Sequence, residues 1–305
     1  MAKLETKVIK VFLKFFIVAV ILFFFIRYVY ENWRVVSLYQ WQFKYGLLAV
    51  SFGLVFLNFL FFIQIWRSLL QKLSSKLPFK KAFKIWFYSN LGKYVPGKIW
   101  SVMGMVYMCE KEGIPKAATL SSAILNQLLN IIGGLILVLI LSGTKFLRGM
   151  SKLYYLPLIL VFVISLYPRV MEKILNWGLK KLKKEPVKVN LSFKENLFFT
   201  LLFMLAWGVY GVAFNIFILS LTDSSFNLWP FLTSIFAFSY ILGFLSIFVP
   251  GGLGVREGIL VYYLSSYFPL PVAVLIALLS RLWMTAAEVL GLLISLRFRF
   301  KFNRD

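Results

Sequence analysis

The sequence predicts an all-α integral membrane protein. It reads as six to eight transmembrane helices, including two related broken, re-entrant helical hairpins arranged as an inverted repeat. Three observations predict this. Hydrophobic residues fill 61% of the 305 positions and charged residues only 15%, a balance outside the range of soluble domains. Runs of about 20 apolar residues recur, the length needed to cross a hydrocarbon core, and they are too long and too continuous for the alternating strands of a barrel. Third, the triplet Val-Pro-Gly interrupts an apolar stretch twice, at 95–97 and at 249–251. Paired breaks at corresponding places in two halves are the mark of transporter-type repeats.

Along the chain, the first apolar run ends in "IRYVYENW" without a small-residue cleavage pattern, so 11–27 reads as a retained first span. Further spans are expected at 46–66, 118–142, 197–221, 229–249 and 271–296, with a shorter run at 153–168. The joining segments alternate in charge. Lys3, Lys7, Lys10 and Lys14 precede the first span, and 67–84 carries Arg67, Lys72, Lys76, Lys80, Lys81 and Lys84 with no acid. Segment 169–195 holds eight basic residues, and the carboxyl end adds Arg297, Arg299, Lys301 and Arg304. The opposite segments are poorer in lysine and arginine, so the positive-inside rule puts both termini in the cytoplasm of a cell (inner) membrane. Segment 169–195 also divides the chain into pseudo-repeat halves, 1–168 and 196–305, of one polytopic domain spanning 1–305.

A net charge of +23 is therefore assigned to anionic lipid headgroups and not to nucleic acid. The single cysteine, Cys109, excludes an internal disulfide and a cysteine metal cluster, and the absence of histidine excludes imidazole chemistry. No metal site, cofactor or catalytic residue is expected.

The two breaks have matching surroundings. Pro78-Phe79 and Pro230-Phe231 precede them, and Ile114-Pro115 and Leu270-Pro271 follow, each pair at a similar distance. Around Pro96 and Gly97, the pieces 83–95 and 97–108 are each too short to cross. They fit a hairpin that enters from the cytoplasm. Around Pro250 and Gly251, two geometries fit the charges: a second hairpin entering from outside, or full crossings by 229–249 and 254–268. Opposed hairpins would bring the two broken tips together near the midplane.

Charges at membrane depth gather at these breaks. Lys93 and Lys98 bracket the first, Arg256 and Glu257 follow the second, and Arg281 and Glu288 share one face of the last span. A charge at the bilayer centre costs about 2.5–3.5 kcal/mol on insertion scales, so such residues usually face a cavity or a partner. Lys93 and Lys98 can instead snorkel to the cytoplasmic surface. Adjacent residues on a helix point apart, so Arg256 and Glu257 each need another partner. The expected pairings are Arg256 with Glu288 and Glu257 with Arg281. Gly251, Gly252 and Gly254 ahead of a helix leave N–H groups at its positive end, which suits an anion. Asn126, with Gln127 and Asn130, adds a polar patch on the span after the first break.

At "SNLGKYVPGKIW" (89–100), "VPGGLGVREG" (249–258) and "ALLSRLW" (277–283) the chain resembles the lysylphosphatidylglycerol synthase/flippase transmembrane domain family, over nearly its whole length. The resemblance implies about eight spans and translocation of lipids or lipid-linked headgroups between leaflets. Pro250, Gly252, Gly254, Glu257 and Arg281 match the family pattern. Lys93 and Lys98 stand where members often carry arginine, and a lysine is a point charge without the bidentate fork. The soluble aminoacyl-transferase domain fused to some members is absent, so lysine transfer is not implied. The expected function is flippase-like translocation of a lipid with an anionic headgroup, with Arg256, Arg281, Lys98, Gly252, Gly254 and Asn126 toward the substrate. Glu257 and Glu288 serve as counter-charges or coupling groups. Two alternatives stand beside it: a glycosyltransferase-type enzyme on lipid-linked sugars, and a non-catalytic membrane partner of a separate synthase.

Overall fold

The computed structural model describes residues 19–21, 23–73, 76–94, 99–141, 155–181, 191–246 and 249–298. All regular secondary structure among the described residues is helical, without a strand. In chain order the helices are α1 (residues 23–31), α2 (Trp33–Leu38), α3 (Tyr45–Lys72), α4 (Phe79–Asn90) and α5 (Ile99–Glu110). They continue as α6 (Lys116–Leu141), α7 (Tyr155–Ser165), α8 (Pro168–Lys181), α9 (Phe193–Leu221), α10 (Trp229–Leu245), α11 (Val255–Leu264) and α12 (Leu270–Leu296).

Among the described residues, five helical stretches are long and apolar enough to cross a membrane: α3, α6, α9, Phe226–Leu245 (a short 3₁₀ turn running into α10) and α12. The expected spans at 46–66, 197–221 and 271–296 fall within them, and 118–142 does so up to Leu141, the last described residue of α6. Most of 11–27 and the start of 153–168 lie outside the described residues, and α7 itself is 11 residues. The run 229–249 is shorter as a helix than its apolar length. It stops at Leu245, and beyond it the turn at Pro250–Gly252 folds back against Gly243.

Small residues and hydrogen bonds fix the helix packing, as expected where lipid removes the hydrophobic drive between helices. A Cβ on Gly133 would lie 2.9 Å from the Thr200 carbonyl, and one on Gly134 would lie 2.7 Å from Trp207 Nε1, so α6 and α9 approach closely along this pair. There Trp207 Nε1 donates to the Asn130 carbonyl at 3.1 Å. Trp66 of α3 donates to Ser122 of α6 at 3.2 Å. Gly211 of α9 lies flat against Thr233 of α10. An aromatic column of Phe62, Trp207, Tyr210, Phe236, Phe214 and Trp283 runs through the middle, linking α3, α9, α10 and α12. At one end, Ser192 and Glu195 form a reciprocal capping box that starts α9, and Glu195 also meets Lys72 at the end of α3 at 2.7 Å.

Against this bundle stand two pairs of shorter helices. In α4 and α5, 12 residues each, the helices pack on one another and span about 18 Å apiece at 1.5 Å per residue. Phe87 of α4 seats its ring on Gly291 of α12. In the second pair, α11 (10 residues) packs on α10 and α12. Each pair is broken by a 3₁₀ turn, Leu91–Tyr94 in the first and Pro250–Gly252 in the second, and the two turns touch. These turns, 156 residues apart in sequence (94 to 250), are neighbours in the fold.

Candidate functional site

The second break is built by its glycines. Gly251, Gly252 and Gly254 have φ of +59°, +66° and +84°, the left-handed region that L side chains avoid. At Gly252 the requirement is doubled, since a Cβ there would lie 2.7 Å from the Gly243 carbonyl oxygen. The turn thereby folds back onto the end of α10 and starts α11 beside it.

Charged side chains then lock the break. Arg281 of α12 donates from Nη1 to Glu257 Oε1 at 2.5 Å and from Nη2 to the Gly251 carbonyl at 3.2 Å. The other oxygen of Glu257 accepts the Gly254 N–H at 2.6 Å. One arginine and one carboxylate thus tie α12, the turn and the first turn of α11 into a unit. This changes one expectation: the Gly254 N–H is taken by the chain's own carboxylate and is not left for a ligand.

The first break contributes Lys93, whose ammonium pairs with Glu288 on α12. The expected Arg256–Glu288 pairing is therefore replaced. Lys93 reaches Glu288 from the touching 3₁₀ turn, while Arg256 sits on α11 with its guanidinium over two aromatic faces, 5.2 Å from the Phe236 ring centre and 5.7 Å from that of Tyr240. Arg256 is 6% exposed, and its Nε and Nη2 are buried without a hydrogen-bond partner. Cation–π attraction offsets part of the desolvation of such a group but fills none of its donor directions.

These groups line one cleft of about 690 Å³, its open mouth included, between the two breaks, α10 and α12. Its walls carry Lys93, Arg256, Arg281 and Glu288, with Tyr240, Ser101, Thr285 and the backbone of Gly251 and Gly252 between them. Of the residues expected at the site, the structure brings Arg256, Arg281, Gly251, Gly252 and Glu288 together, with Glu257 behind Arg281. Gly254 caps α11 beside the cleft and faces Ile21 of the first helical segment. Asn126 is elsewhere: it is buried on α6, its Oδ1 without a partner, and takes no part in the cleft lining. Lys98, Pro96 and Gly97 lie outside the described residues, as does the side chain of Pro250.

Sequence reasoning missed Phe236 and Tyr240, which carry the Arg256 guanidinium. Their spacing of four places them on one face of α10 together with Gly243. In a chain with 33 phenylalanines and 15 tyrosines that spacing is no signal of its own.

A family model described as "Lysylphosphatidylglycerol synthase TM region" matches residues 11–290, which takes in both breaks and every charge of the cleft. The chain belongs to the lysylphosphatidylglycerol synthase transmembrane-region family. It is accordingly a multi-pass membrane protein related to lipid modification or flipping. No curated protein matches it. In this family member the residues of the resemblance, Gly252, Gly254, Glu257 and Arg281, build and lock the turn, whereas Arg256 beside them is left with unfilled donors.

Proposed function

We propose that this protein is a non-enzymatic, flippase-like translocator that moves a lipid with an anionic headgroup between the leaflets of a cell membrane, with both termini cytoplasmic. The observation that carries the reading is Arg256, a buried guanidinium with two unfilled donor nitrogens at the wall of an open cleft. The Glu257 and Glu288 carboxylates attract this charge without bonding it, and a buried guanidinium with unfilled donors is costly. A phosphate oxygen in the cleft would be drawn to this guanidinium, whose donor fork suits it once the side chain turns from its buried position toward the cleft.

In this reading α4–α5 and α10–α11 are hairpins that enter from opposite faces, and their broken tips meet at the substrate. The contact between the two 3₁₀ turns supports that arrangement. So does the 10-residue length of α11, about 15 Å, half of what a crossing needs. The exposed Phe244 and the buried Met284 add apolar surface to the cleft wall, along which an acyl chain could lie while the headgroup moves along the polar lining.

The test is leaflet exchange of fluorescent anionic lipid in proteoliposomes. Arg256→Gln should cut the exchange rate at least tenfold, the effect of losing about 1.4 kcal/mol or more from a charge-assisted contact, while circular dichroism stays that of the parent. Exchange at the parental rate in a folded Arg256→Gln protein refutes the proposal.

A further inference from the structure

The basic segment that joins the two halves carries a helix whose three sides differ in kind. Ahead of α8 (Pro168–Lys181), the Leu166 carbonyl accepts the Asn196 side-chain N–H at 2.8 Å, and the Tyr167 ring packs on Phe193 with 4.8 Å between centres. These contacts hold the start of α8 against the start of α9, at the end of the bundle where Lys72 meets Glu195. At about 100° per residue, Met171 and Leu175 share one side of α8. Both are fully buried in the main core. Val170, Ile174 and Trp177 share a second side about 60° wide, with Ile174 exposed and Trp177 exposed by 61%. Arg169, Lys173 and Lys180 share the third side, and all three are exposed. Glu172, the one acid of the helix, lies half-buried on the flank between the basic and the buried sides.

Packing within the chain accounts for the first side only. The exposed apolar strip continues a surface already begun on α7, where Val161 and Ile164 are exposed, as is Tyr167 in the turn between the helices. We propose that α8 lies in the plane of the membrane surface and is a docking site for anionic phospholipid. Val170, Ile174 and Trp177 rest among the upper ends of the acyl chains, and Arg169, Lys173 and Lys180 meet the phosphates of the headgroup layer. An apolar strip beside a basic one is the pattern of helices that lie in this interface. Tryptophan prefers that level, and the long basic side chains reach from it to the headgroups. Lipid along the exposed side of α7 is already next to the strip, which favours the bilayer over a soluble partner as its occupant. The surface is separate from the cleft between the breaks, none of whose lining lies on α8. It holds lipid of the surrounding membrane in place, whatever the cleft carries.

Fluorescence quenching on the full chain in vesicles tests this. A Cys109→Ala background carries Ile174→Cys, labelled with a small environment-sensitive fluorophore, or Leu205→Cys on the exposed side of α9 as the reference. Spin-labelled phosphatidylglycerol and spin-labelled phosphatidylcholine probe anionic and neutral lipid, and iodide probes water. The fluorophore at Ile174→Cys should be quenched by both lipids and shielded from iodide. The anionic lipid should act at about a fivefold lower mole fraction, the preference that one basic residue near the surface supplies. At Leu205→Cys the two lipids should quench alike. Arg169→Gln, Lys173→Gln and Lys180→Gln together should level the two lipids at Ile174→Cys, and so should molar salt without those substitutions. Quenching at Ile174→Cys by iodide and by neither lipid overturns the proposal and leaves the strip to a soluble partner. Equal quenching by the two lipids while the basic residues are intact, or a preference that survives both the triple substitution and salt, overturns the docking of anionic lipid.

Discussion

Neutralising Glu257 tests how the second break is held. Its Oε1 takes Arg281 Nη1 at 2.5 Å and its Oε2 takes the Gly254 N–H at 2.6 Å, with the side chain 1% exposed. In Glu257→Gln one position of the head group becomes an NH₂. Whichever way the amide flips, a donor then faces a donor, either the guanidinium or the backbone N–H. Breaking a buried pair by removing one partner costs about 3–5 kcal/mol. Arg281 has 17% of its side chain exposed toward the cleft. Water there screens part of the orphaned charge and sets the expectation at the lower end, about 3 kcal/mol. The assay is reversible unfolding in mixed micelles followed by helical circular dichroism, run on Glu257→Gln, Arg281→Gln and the double variant. Because each single change orphans the other partner, the double should cost less than the sum, with a coupling of about 2 kcal/mol, inside the usual range for contacting charges. A single variant within about 1 kcal/mol of the parent, or a coupling below about 0.5 kcal/mol, would refute the lock.

Gly252→Ala should be destabilising by more than about 2 kcal/mol, because a left-handed backbone costs an L-residue about 1–2 kcal/mol and the new methyl also meets the Gly243 carbonyl. The same micelle unfolding assay reads it. Gly211→Ala should cost about 1–3 kcal/mol by overpacking against Thr233, and adding Thr233→Ala should return most of that loss. Arg256→Met should raise the unfolding free energy of the ligand-free protein by about 1 kcal/mol or more, since it removes a buried charge with unfilled donors; an anion-free protein that loses stability would speak against a site waiting for its ligand. A cysteine at Ser246, in a Cys109→Ala background, reports depth. A re-entrant α10–α11 keeps it from bulky impermeant thiol reagents on both faces, whereas a full crossing opens it to labelling from the cytoplasm.

The long spans were legible because each carries its own evidence. Apolar length alone marks α3, α6, α9 and α12, but it places the start of α9 at 197, four residues late, because it passes over the capping box of Ser192 and Glu195. The breaks were legible for a similar reason: proline before glycine interrupts a helix wherever it occurs, so Val249-Pro250-Gly251 needed no knowledge of its neighbours. What the sequence could not settle is where the interrupted helices end. Leu245 closes α10 four residues before Val249, a distance set by how the chain folds back on Gly243. Pairings across the fold lay further out of reach. The sequence offered Arg256 and Arg281 as equals, each with an acid on its own helix, Glu257 and Glu288, and charge alone gave no reason to separate them. Separation comes from direction. Residues 256 and 257 leave α11 about 100° apart, so when Glu257 turns to Arg281 and its own cap, Arg256 must turn toward α10. There it meets Phe236 and Tyr240, which hold its plane but accept no hydrogen bond. Glu288 was offered to Arg256 because adjacent helical residues point apart, so that Glu257 could not serve it. It instead serves Lys93, which the touching turns deliver from the other half of the chain. The unmatched arginine is thus a consequence of packing the two breaks together.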